Sequence, residues 1–125
     1  VRDYPGAGGS FVIDSIGRMH GGEVLVPKIP SMKITDIAGA IAPEAERKVV
    51  GIRPGEKLHE ILLVEEEARH SCEFDDYFVV VPEFSFWNRE NLKESQPLAE
   101  GFRYTSDSNN WWLKKNELKK MLGEC

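Results

Sequence analysis

At 125 residues the chain is long enough for one domain with a modest core, and its 41% hydrophobic content is ordinary. A net charge of −5 argues against nucleic acid as a partner; no run approaches the roughly 18 apolar residues of a membrane helix, and no basic-then-apolar leader opens the sequence. Cys72 and Cys125 make no disulfide framework, and His20, His59 and His70 lack metal-ligand spacing, so reduced thiols in a cytoplasmic setting are expected.

Along the chain, Phe11, Val12, Ile16 and Met19 recur at helical spacing, which predicts an amphipathic helix over about residues 11–20 capped by Ser10 and ended by Gly21-Gly22. Val24-Leu25-Val26 reads as a short strand stopped by Pro27 and Pro30. Thr35 or Asp36 is expected to cap a helix through Ile37, Ala38 and Ile41, closed by Pro43. Arg47–Ile52 reads as the next strand. Lys57–Leu63 is open between helix and extended chain, with a short helix favoured. Glu65–Arg69 reads as an exposed helical turn, and Phe78–Val81 as a strand ended by Pro82. Phe84, Phe86 and Trp87 are expected to continue extended, followed by a polar loop over 88–96. Trp111, Trp112 and Leu113 precede a last helix with Leu118, Met121 and Leu122 on one side. There is no internal repeat, low-complexity tract or linker. The expected organisation is an unplaced segment over residues 1–10 and one α/β domain, α+β if taken alone, over 11–125.

Gly51-Ile52-Arg53-Pro54-Gly55-Glu56 carries the chemistry. Proline fixes the backbone directly after the arginine and glycine permits the reversal beyond it, which sets a guanidinium and a carboxylate on one rim. The planar fork suits phosphate oxygens and the carboxylate suits a ribose hydroxyl pair, as in a nucleotide-diphosphate site. A surface Arg–Glu pair beside an ordinary turn is the plain alternative. Charge is uneven in the same sense: residues 18–57 hold seven Lys/Arg against five Asp/Glu, while 58–125 hold eight against fourteen. A locally basic stretch in an acidic chain fits a small anionic ligand.

The words GGEVLVPKIPSMKITDIA, GIRPGEKLHE, CEFDDYFVVVP and GFRYTSDSNNWWL, in that order, resemble the C-terminal part of the UDP-N-acetylglucosamine 4,6-dehydratases. The likeness is greatest to the C5-inverting type of pseudaminic acid biosynthesis, within the polysaccharide biosynthesis group of extended short-chain dehydrogenase/reductases, and covers about residues 11–122. The resemblance implies a small substrate-binding lobe without the Rossmann cofactor domain. It implies that Arg53 binds the diphosphate and Glu56 the ribose, Glu56 being one methylene longer than the aspartate of epimerase relatives. It also implies that Val26–Met32 runs past the uracil, so Lys28, Ile29, Pro30, Ser31 and Met32 are candidate contacts, with His59 beside the turn. Lys28 as a plain solvated lysine and His59 as a capping or packing residue are the competing readings.

Adjacent Asp75 and Asp76 read as an exposed turn rather than a catalytic pair. Phe84, Phe86, Trp87, Trp111 and Trp112 read as core or subunit interface rather than a sugar platform. The family's Gly-rich NADP turn and Tyr-x-x-x-Lys pair have no counterpart: Gly6, Gly8 and Gly9 follow no strand, and Tyr4, Tyr77 and Tyr104 have Gly8, Val81 and Ser108 four positions on. No catalytic or cofactor residue is therefore expected on this chain. The expected function is UDP-sugar binding, with UDP-GlcNAc as ligand, the missing Rossmann half bearing NADP as partner, and a homo-oligomer as a further expectation. A stand-alone binding or assembly module is the alternative.

Overall fold

The computed structural model describes residues 7–84 and 87–123. Its elements are α1 (Ala7–Arg18), β1 (Val24–Pro27), α2 (Ile34–Ile41), β2 (Ile61–Leu63), α3 (Glu65–Ala68), β3 (Ser71–Glu73), β4 (Tyr77–Val80), a 3-10 turn (Arg89–Leu92), β5 (Gln96–Pro97), β6 (Tyr104–Thr105) and α4 (Lys115–Gly123). One sheet has the order β1-β4-β3-β5 and is antiparallel at every pairing, while β2 and β6 make a two-stranded sheet. Contacts divide the chain into two compact units, one taking the chain up to Lys28 and again Leu62–Tyr104, the other Ile29–Ile61 and the chain from Thr105. The class is mixed helix and sheet.

The first unit is organised around β4. Its aromatic and β-branched run, Tyr77-Phe78-Val79-Val80, suits a pleated strand buried on both faces. Val26 stands opposite Phe78, and both enter a core with Leu63, Ala68 and Tyr104. The Phe78 ring lies 5.1 Å from that of Tyr104 and 5.5 Å from that of Phe102, within the range of favourable aromatic pairs. On the other face Leu25 stands opposite Val79, and Phe11 of α1 meets Tyr77 edge-on at 6.3 Å. Asp75 and Asp76 occupy the exposed β3–β4 turn, closed by Phe74 N donating to Tyr77 O at 2.9 Å.

Gly21 and Gly22 lie beyond the end of α1 with φ of +114° and +87°, where a side chain would be strained. Glu23 holds that reversal: its buried carboxylate accepts from His20 N at 2.8 Å and Gly21 N at 2.7 Å. In the second unit α2 packs on α4, whose Leu118 is buried.

Several expectations are corrected. Arg47–Ile52 is irregular and exposed, not a strand; among the described residues no strand pairs with it, and Gly51 at φ +83° breaks extended backbone. Lys57–Leu63 is not helical: Ile61–Leu63 is β2, satisfied by strand pairing. Ser10 lies inside α1, which begins by Ala7, and Lys33 rather than Thr35 or Asp36 holds the cap position of α2. β3, β5 and β6 were not expected, each being only two or three residues long. Phe86, Cys125 and most of the 1–10 segment lie outside the described residues.

Candidate functional site

The Arg53–Glu56 segment forms the tight turn its residues demand. Glu56 N donates to Arg53 O at 3.1 Å, and with Pro54 second and Gly55 third at φ +86° the geometry is that of a type II turn. Arg53 N in turn donates to Glu56 Oε2 at 2.9 Å, so the carboxylate is fixed on the turn by its own backbone. Arg53 is exposed, and among the described residues no carboxylate stands within ion-pair distance of its guanidinium. The turn thus presents a free fork beside an anchored acid. That pair can grip a diphosphate and accept a hydroxyl.

The Ile29–Met32 segment lies in the same unit and is held by residues 106–113. Ser31 N donates to Trp111 O at 2.8 Å and Leu113 N donates to Ser31 O at 2.9 Å, a bridge running parallel. The buried Ser31 hydroxyl donates to Ser106 O at 2.7 Å. Asn109 Nδ2 donates to Ile29 O at 2.7 Å and to Ser31 Oγ at 3.1 Å, while its Oδ1 accepts from Trp111 N at 3.0 Å. The Trp112 indole donates to Asn109 O at 2.6 Å. Ile29 O, Ser31 N and Ser31 O are therefore engaged within the fold. Pro30 is buried, while Ile29 and Met32 keep over a third of their surface exposed.

Lys28 belongs to the other unit. Its ammonium pairs with Glu73 Oε1 at 2.7 Å and stands 5.1 Å over the Phe78 ring, so it is neither a plain solvated lysine nor a free cation. His59 is exposed and in the Arg53 unit. It helps hold the Asp107 carboxyl below the ordinary range, behind the main cause, a hydrogen bond from the Thr105 hydroxyl.

Asn109 and Ser106 hold the Ile29–Met32 segment and Thr105 braces Asp107 and Ser108, whereas the sequence over 106–110 suggests only helix capping. Their signal was the density of Ser, Asn and Asp over 105–110, residue types that bond back to nearby backbone. Trp111 and Trp112 retain 41% and 39% of their surface exposed, so neither is core filling.

Residues 6–82 match the family described as polysaccharide biosynthesis protein, well over half of the chain. The chain belongs to that family. Its curated relatives include two inverting UDP-N-acetylglucosamine 4,6-dehydratases of Campylobacter jejuni subsp. jejuni. That of serotype O:2 is 41% identical over 122 residues, covering 92% of this chain and 36% of the relative. That of serotype O:23/36 is 41% identical over 118 residues, covering 89% and 35%. A solved structure of Pen from Bacillus thuringiensis superposes with a TM-score of 0.73 at 22% identity, covering 92% of this chain and 35% of that one, and shows the shared fold. This polysaccharide biosynthesis chain spans about a third of the length of the relatives it matches.

Proposed function

We propose that this chain is the UDP-sugar-binding C-terminal portion of a UDP-GlcNAc 4,6-dehydratase of the C5-inverting, pseudaminic-acid type, working in the cytoplasm. The observation that carries the reading is the type II turn at Arg53–Glu56, with a guanidinium that has no carboxylate partner among the described residues and a backbone-anchored carboxylate. Arg53 takes the diphosphate, and Glu56, with Oε2 held by the turn, offers Oε1 to a ribose hydroxyl. Ile29 and Met32 lie along the uracil, while Pro30 and Ser31 set the path of that segment. Lys28, paired with Glu73, contributes by shaping β1 rather than as a free charge.

The whole enzyme would oxidise C4, eliminate water across C5–C6 and reduce C6, with NADP as hydride carrier. The residues here do not fit NADP: Gly8 and Gly9 lie within α1 rather than in a turn before it, and Tyr77 and Tyr104 lack a lysine four positions on. The chain's share is to bind and orient. Binding energy gained at the diphosphate, remote from C4, positions the ring for reaction. Val49, Val50, Ile52 and Leu58 beside the turn are 58–95% exposed, apolar surface that the remainder of the enzyme, or a second copy, would cover.

Calorimetry with UDP tests the assignment. The parent chain is expected to bind weakly but measurably, and Arg53→Ala to lose about tenfold or more, the worth of one charge-assisted contact. Equal affinity in the two would overturn it.

A further inference from the structure

A cavity of about 420 Å3 in the second unit is lined by Lys33, Asp36, Trp112, Leu113, Lys114 and Lys115. We infer that it is a second anion site, distinct from the Arg53 turn, that takes the diphosphate group of a soluble small molecule. Three lysines and one aspartate line it, in a chain whose net charge is −5. A fourth cation, Arg47, meets one of these lysines beside α2. The Arg47 Nη2 and Lys115 Nζ atoms lie 2.9 and 3.2 Å from the point where a Cβ on the buried Gly39 of α2 would stand. Like charges brought to one spot repel, and a side chain at position 39 would push both tips aside.

Among the described residues no carboxylate lies within ion-pair distance of Lys33, Arg47, Lys114 or Lys115. Arg47 donates to the Thr35 carbonyl, at 3.3 Å. By contrast Lys28 and Arg69 in the other unit are each paired with a glutamate. Unrelieved convergence of this kind is what a bound polyanion would satisfy. The volume lies within the range of small-molecule pockets, far above what one phosphate needs. The wall is also preorganised. The Trp112 indole is fixed by its N–H on Asn109 O, and Lys114 N donates to Glu117 Oε2 at 2.7 Å, which sets the start of α4. An exposed, anchored indole beside the cations adds a surface for a flat ring carried on the diphosphate.

The test is a titration of the isotope-labelled chain with sodium pyrophosphate, followed by NMR at the Trp112 indole N–H and the Lys33–Asp36 amides. Saturable shifts there are expected, retained in Arg53→Ala and weakened at least tenfold in a Lys33→Gln/Lys115→Gln double variant whose Phe78 and Tyr104 signals stay in place. Should that variant lose its fold, Gly39→Ala replaces it: the new methyl displaces only the flexible tips of Arg47 and Lys115, and weaker binding is again expected. Shifts that never saturate, equal affinity in the substituted chains, or loss in Arg53→Ala would each overturn the second site. Vesicles of phosphatidylglycerol are run in parallel; a response to them with none to pyrophosphate would overturn the assignment to a soluble diphosphate.

Discussion

Glu23 is a buried acid whose carboxyl nevertheless sits below its ordinary value of 4.5. Burial is the largest single influence and pushes it up, but the hydrogen bonds from the N–H groups of His20, of Glu23 itself, of the Trp87 indole and of Gly21 together outweigh it. A folded value lower than the unfolded one means stability that is fully present above 4.5 and drains away as pH falls through the lowered folded value. Glu23→Gln is therefore expected to cost about 2 kcal/mol at pH 7, the scale of hydrogen bonds to a charged acceptor. Thermal melts of parent and variant should converge as pH drops below 4.5, and a gap that stays constant with pH would refute the charge-based account.

At the scale of elements, what the sequence revealed depended on how local the cause was. Val24–Val26, Phe78–Val80 and Leu118 were legible because apolar patterning and flanking Pro or Gly act within a few residues. The acidic turn at Glu65–Ala68 and the Arg53–Glu56 reversal were legible for the same reason. Arg47–Ile52 misled because Val49-Val50 has the composition of a strand, whereas a strand needs a partner, and partners are not written locally. Short β3, β5 and β6 are set by the register against β4, β3 and β2 respectively, which no window of three residues shows.

The 105–113 segment is the clearest case of a role visible only in three dimensions. Asn109 reaches back to Ile29 and Ser31, some 80 residues earlier. Asn109→Ala removes bonds to Ile29 O, Ser31 Oγ and Trp111 N, and is expected to destabilise by about 2 kcal/mol, at roughly 1 kcal/mol per net bond with partial replacement by water. It should also weaken UDP binding while the Arg53 turn stays intact, as read from calorimetry beside a denaturant melt. An unchanged melt would show that the segment is not a clamp.

On the scale of the whole molecule, this chain is about a third of the length of its curated relatives, and the proposal gives its own residues the part of an anchor. In the second unit the Arg53–Glu56 turn sets one cation beside one acid, with apolar Val49, Val50, Ile52 and Leu58 exposed around it. No helix among the described residues is long and apolar enough to cross a membrane. On the proposed function, Arg53 recognises the diphosphate and not the base. The most direct test of that is a paired titration with UDP and uridine. Parent chain should favour UDP at least tenfold, and Arg53→Ala should erase that preference while leaving uridine affinity unchanged. Retention of the preference in Arg53→Ala, or an equal fall for both ligands, would contradict it.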